Sequence, residues 1–168
     1  NHGAVISDSK REKMKMALLA DFEHAGFNYR MTDVQGAMGV EQMKKLPKLL
    51  KQRKAQASFY QKLLKGSRLF LPRIPAGYEH GYQSYVVNLH SEERRNRMME
   101  KLMESQIASR QGTHSVPHLK FFRDRYGYTN KDFPESLAAQ NTALALPLYH
   151  TMKKSDQRKI AEIINNYV

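Results

Sequence analysis

Two short stretches carry residue types that could do chemistry. Gly26-Phe27-Asn28-Tyr29-Arg30-Met31-Thr32 leads directly into a helix start. Thr32 followed three residues later by Gln35 reads as a capping box, with Asp33 where a helix N-terminus favours negative charge. Free N–H groups at such a start, with Asn28 and Arg30 adding side-chain donors, make a recipe for holding a phosphate. The alternative is a plain loop in which Asn28 turns the chain and Arg30 pairs with Asp33. The second stretch, Arg110-Gln111-Gly112-Thr113-His114 then Pro117-His118, gathers one Arg and two His at the end of an expected strand. Loops at strand ends often carry function. Substrate contact through Arg110, His114 and His118 stands against ordinary hydrogen-bonded loop histidines. The His114/His118 spacing resembles a zinc pair, but Pro117 opposes the helix that would align both rings, and no zincin glutamate is present, so no metal site is expected.

Other chemistries are missing from the sequence. It has no Cys, hence no disulfide, thiolate metal site or cysteine nucleophile, and a reducing cytoplasm is the expected setting. Walker loop, Rossmann fingerprint and Gly-x-Ser-x-Gly elbow are absent. No run of 18 apolar residues is present, so no membrane partner is expected. A composition 40% hydrophobic and 26% charged belongs to a globular chain, and 168 residues suit one domain plus a flanking piece. The nine methionines read as core filler on helix faces.

Charge is uneven. The 28 Lys+Arg outweigh 16 Asp+Glu by 12. No acidic residue falls between Gln42 and Tyr78, where ten basic ones do, from Lys44 to Arg73. Such a run is either a solvated helix face or an anion-binding field, with nucleic acid as one candidate partner.

The elements that must position these residues follow from periodicity. One helix is expected from Thr32 to about Leu46. Gly36 and Gly39 on one of its faces imply close approach of another element, since each costs about 1 kcal/mol against Ala. Pro47 is expected to open a second helix, with Leu46, Leu50, Arg53, Ala57, Tyr60 and Leu64 as its seam. Arg53, the one charge there, calls for a carboxylate partner, Asp33 or Glu41. Gly66 stops this helix. Leu69–Leu71 reads as a short strand, and Tyr82–Leu89 as a strand with Tyr85, Val87 and Leu89 on one face. Ser91 caps a helix whose apolar side is Met98, Leu102 and Met103. Ile107–Gln111 is a further strand candidate, Phe121–Tyr126 and Pro134–Gln140 are helices, and Leu144–Leu148 is a strand or extended arm. A last helix capped by Ser155 presents Ile160, Ile163, Ile164 and Tyr167. The sum is an α/β (α+β) domain with a short, mostly antiparallel sheet packed with helices.

The segment Gly26–Gln42, then Arg53, Ala57 and Tyr60, then Ile107–His114, then Leu144–Tyr149, resembles the DegT/StrS family of pyridoxal-phosphate-dependent nucleotide-sugar aminotransferases. Even Asn1-His2-Gly3 is similar to the His-Gly that follows the Schiff-base lysine in that family. The resemblance implies the rear part of a fold-type I aminotransferase. Residues 1–31 would be a remnant of the cofactor-binding large domain, 32–66 long interdomain and dimer helices, and 67–168 the small C-terminal domain. It further implies a homodimer with shared active sites, in which Asn28, with Arg30 beside it, reaches the cofactor phosphate of the partner subunit. The Arg110–His118 loop would approach the nucleotide-sugar or the amino donor, by analogy glutamate. The Schiff-base lysine and the aspartate on the pyridine nitrogen would lie upstream of Asn1, so no catalytic residue is assigned within this chain, and alone it is expected to be inactive.

The competing expectation is a free-standing basic module that uses the Lys44–Arg73 helix on nucleic acid. Two helices joined with almost no turn fit a helix-turn-helix poorly. Phe59 and Tyr60 near the apolar side also leave no stacking platform for bases.

Overall fold

A computed structural model describes residues 30–167. The chain divides into two compact units, 1–44 and 45–168. Helix α1 (Asp33–Leu63) starts in the first and ends in the second.

In the first unit the capping box is present. Thr32 N donates to Gln35 Oε1 at 3.0 Å, and Gln35 N donates to Thr32 Oγ1 at 3.3 Å. The close approach expected at the glycines is absent among the described residues: a Cβ on Gly39 would meet nothing within 4 Å, and one on Gly36 would meet only Met31 Sδ at 4.0 Å.

The expected break at Pro47 does not occur. Helix α1 runs through it as one 31-residue element. Proline deprives the carbonyl four residues earlier, that of Met43, of its intrahelical donor. Residues 41–48 are all exposed, so water can serve that carbonyl, and the residues on either side hold the helix together. The uninterrupted helix also leaves no helix-turn-helix at this place.

The second unit is built around a three-stranded antiparallel sheet, in which β1 (Tyr85–Asn88) and β2 (Arg110–Gln111) flank β3 (Ala143–Leu146). The register places Tyr85 opposite Leu146, Asn88 opposite Ala143, and Arg110 opposite Ala145. Helices α2 (Glu92–Glu104), α3 (Lys120–Tyr126), α4 (Pro134–Thr142) and α5 (Lys154–Tyr167) complete it. The core joins Ala57 and Tyr60 of α1, and Leu64 just after it, to Tyr85, Val87 and Leu89, to Met98 and Leu102 of α2, and to Ile160 and Ile164 of α5. The alternation read in Tyr82–Leu89 and the expected seam from Ala57 onward are thus real core faces, while Leu50 and Arg53 are only half-buried. Gly66, at φ +91°, ends the helix as expected.

Several expectations are trimmed. Leu69–Leu71 contributes only one bridge, Phe70 to Asn88. Of Ile107–Gln111 only two residues pair with β3. Met103 is 74% exposed, because α2 turns Met98 and Leu102 inward and carries Met103 past the buried side. Ser91 does cap α2, accepting from Arg94 N at 3.2 Å. Helix α5 starts at Lys154, which puts Ser155 in its first turn rather than before it.

Gly112 is the tightest point of the sheet. A Cβ there would lie 2.6 Å from Val86 Cγ1 and 2.8 Å from Ala143 Cβ. Gly112→Ala is therefore expected to destabilise the protein by about 1–3 kcal/mol through overpacking, measured by denaturant titration.

Tyr85 and Tyr60 stack at 5.1 Å between ring centroids, and both are fully buried. Their hydroxyls differ. Tyr60 Oη donates to the Pro147 carbonyl at 3.0 Å, whereas Tyr85 Oη is buried without a partner among the described residues. Tyr60→Phe should cost about 1 kcal/mol and Tyr85→Phe should be neutral or stabilising. Burial raises both phenols above their ordinary value of 10.0. The folded state then keeps protons that the unfolded state loses, so stability is full below pH 10 and falls as pH rises beyond it. The alkaline fall in melting temperature should be shallower in Tyr85→Phe than in the parent protein.

Candidate functional site

Both stretches singled out from the sequence lead to defined local structures, each within its own unit. In the first unit, Arg30 is exposed and stands three residues before α1. Asn28 lies outside the described residues. The capping box occupies Thr32 and Gln35, Gly36 N bonds to the Thr32 carbonyl, and the N–H groups of Asp33 and Val34 have no acceptor among the described residues. An arginine beside the N–H groups of a helix start is a combination that suits a phosphate, with the Asp33 carboxylate as an opposing charge.

In the second unit, the start of β1, the segment 108–110 and the end of β3 enclose a concavity of about 230 Å³. Its polar rim is Gln83, Ser84, Ser109 and Arg110, and Leu146, Pro147 and Leu148 form an apolar wall. Arg110 is exposed on edge strand β2.

Helix α1 holds both sides of this concavity. Arg53 Nη1 donates to the carbonyls of Tyr82 and Gln83, each at 2.9 Å. The expected carboxylate partner is thus replaced by two backbone oxygens. The chain just ahead of β1 has left the sheet ladder there, and one guanidinium serves both orphan carbonyls. Tyr82 itself sits at φ 47°, and its N–H donates to His80 Nδ1 at 2.9 Å. On the other side, Tyr60 Oη ties down Pro147.

The two histidines of the second stretch go separate ways. His114 is exposed, with Nδ1 3.5 Å from Gln111 Nε2. His118 turns to fully buried Ser115, its Nδ1 2.5 Å from Ser115 Oγ. Ser115 Oγ also accepts from Ser136 Oγ at 2.8 Å, and Ser115 N donates to Gln140 Oε1 at 2.8 Å. His118 therefore belongs to a polar network that staples the loop to α4. Among the described residues, no three His, Asp or Glu side chains gather as metal ligands. Sequence reasoning missed Gln83, Ser84 and Ser109. Two serines and a glutamine beside strand ends carry no pattern; Ser109 adjoins Arg110 in the chain, and the register against β3 brings Gln83 and Ser84 to them.

The comparisons fall on this architecture. The sequence model of the DegT/DnrJ/EryC1/StrS aminotransferase family matches residues 1–165. The chain belongs to that family. An uncharacterized protein of Methanocaldococcus jannaschii, MJ1066, is 26% identical over 98% of this chain and 43% of its own. The spore coat polysaccharide biosynthesis protein SpsC of Bacillus subtilis is 26% identical over 88% of the chain and 39% of its own. Among solved structures, the apo form of the sugar aminotransferase Spr1654 of Streptococcus pneumoniae superimposes with a TM-score of 0.82 at 20% identity. It covers 99% of this chain and 45% of that protein. The PLP form of Spr1654 gives 0.82 at 22% identity, over 96% and 44%. The DegT chain spans under half the length of these relatives. Its fold is that of a C-terminal portion of a fold-type I sugar aminotransferase, a family that uses pyridoxal phosphate.

The Arg53 bridge makes the next expectation specific. Arg53→Met keeps most of the aliphatic stem and removes both hydrogen bonds. It should cost about 2–3 kcal/mol, and amide exchange should rise first at residues 82–85.

Proposed function

We propose that this DegT-family chain is the rear portion of a cytoplasmic, homodimeric, pyridoxal-phosphate-dependent aminotransferase. The intact enzyme transfers an amino group, from glutamate as donor, to a nucleotide-linked keto sugar for amino-sugar or polysaccharide synthesis. The observation that carries this is the family match over residues 1–165, within which Arg110 borders a polar-rimmed concavity.

Pyridoxal phosphate, when bound, supplies the electron-withdrawing ring that lets an amino group pass between two carbon skeletons. This chain's own residues bind and orient. Asn28, Arg30 and the first N–H groups of α1 hold the cofactor phosphate of the partner subunit. Arg110 takes an anionic group of the substrate, the hydroxyls of Ser84 and Ser109 offer hydrogen bonds beside it, and the wall from Leu146 to Leu148 excludes water and strengthens them. His114, exposed four residues beyond Arg110 in the same motif, contacts the substrate. His118 acts indirectly, keeping the loop fixed to α4 through Ser115. The boundaries at residues 31 and 66 divide a large-domain remnant, the interdomain helices and the small domain. No lysine of this chain is assigned the Schiff base.

In the full-length enzyme, Arg110→Ala should raise KM for its anionic substrate at least tenfold while leaving the cofactor's bound absorbance unchanged. An unchanged KM for both sugar and amino donor would refute the role given to Arg110. The 168 residues alone, incubated with pyridoxal phosphate, should show no transamination, and any steady turnover would assign the Schiff base to one of its lysines.

A further inference from the structure

A second concavity, of about 390 Å³, lies at the other end of β1. It is lined by Arg68, Leu69, Leu89, His90, Arg94, Arg97 and Tyr167. Ser84 borders the Arg110 concavity and Leu89 borders this one. The four residues of β1 lie between them, and five steps of extended chain span about 17 Å at the rise of a strand, so the two are distinct places on the molecule.

Three guanidinium groups reach this concavity from two parts of the chain. Arg94 and Arg97 share a face of α2 at i, i+3. Arg68 comes from the segment behind α1, which is fixed to the end of β1. Phe70 N donates to the Asn88 carbonyl at 3.1 Å and Asn88 N donates back at 3.0 Å. His90 Nε2 lies 2.5 Å from the Arg68 carbonyl, and the His90 and Phe70 rings meet at 4.5 Å. The arginines are therefore mounted on constrained backbone. Their charge is largely unspent. Arg97 pairs with Glu93, while the side chains of Arg68 and Arg94 make no ion pair with any described residue. Leu69 and Leu89 are buried beneath them and supply an apolar floor.

We propose that this concavity is a binding site for a multiply charged phosphate group. Guanidinium forks match phosphate oxygens two at a time, and the volume lies within the range of small-ligand sites. The low-dielectric floor strengthens each of those bonds. The site uses Arg68 from the acid-free run between Gln42 and Tyr78, and it is independent of the aminotransferase reading.

Pyrophosphate is the probe, titrated calorimetrically into the 168-residue protein at fixed ionic strength. Saturable binding of one ion is expected. Arg68→Ala and Arg94→Ala should each weaken it tenfold or more, whereas the charge-matched pair Lys48→Ala/Lys51→Ala on α1 should change it less than twofold. Glu93→Gln, which frees Arg97 from its partner, should tighten it several-fold, a gain that misfolding cannot imitate. No saturable binding, an equal loss in the lysine pair, or no gain in Glu93→Gln would overturn the proposal.

Discussion

Carbonyl groups just outside a short sheet have nowhere to go, and α1 answers that problem twice. A strand of four residues, such as β1, soon runs out of ladder partners, and the chain beside it still carries oxygen acceptors that must be bonded. Arg53 takes the carbonyls of Tyr82 and Gln83, and Tyr60 takes that of Pro147. Two turns of one helix thereby fix the entry to β1 and the exit from β3. The Tyr60–Tyr85 stack fills the space between helix and sheet. The Arg110 concavity is what remains between these anchored edges. Its geometry depends on groups that need never touch a ligand.

Legibility in the sequence tracked the range of the interaction. Local signals carried well: the Thr32/Gln35 box, the Ser91 cap, the Gly66 stop and the alternation from Tyr85 to Leu89 each need only a few neighbouring residues, and each is present. Interactions that close over tens of residues were unreadable. Arg53 bonds a segment about thirty residues away, and the pairing of Arg110 with Ala145 closes over about thirty-five. Charge complementarity made a carboxylate the natural partner for Arg53, yet backbone oxygens are far more numerous than carboxylates. Pro47 misled for a different reason. A local penalty of about 3 kcal/mol is decisive in an isolated helix but not in one whose later turns are buried through Ala57, Tyr60 and Leu64.

The candidate site was legible in part. Arg110 and its neighbours stood out as a motif, and the family resemblance rested on them, but the motif does not separate ligand-facing from structural members. His114 faces outward, His118 locks onto Ser115, and Gly112 is required because Val86 and Ala143 leave no room for a side chain. A signature of adjacent letters thus mixes surface chemistry with packing. Coordinates separate the two.

The strand order has a consequence for how the protein acquires its shape. Apart from the single Phe70–Asn88 bridge, strands β1 and β2 are joined through β3, which lies between them in space but follows both in the chain. Until Ala143–Leu146 arrives, neither flanking strand has a ladder to join. On a ribosome, β1 therefore emerges with only the Phe70–Asn88 bridge to close and waits for β3. The β1–β3 pairing then closes a loop of more than fifty residues, and that chain-entropy cost must be met before the contacts reward it. The sheet is a late, cooperative event keyed to one four-residue strand, and a nascent chain halted before Ala143 would hold the Phe70–Asn88 bridge but no three-stranded sheet.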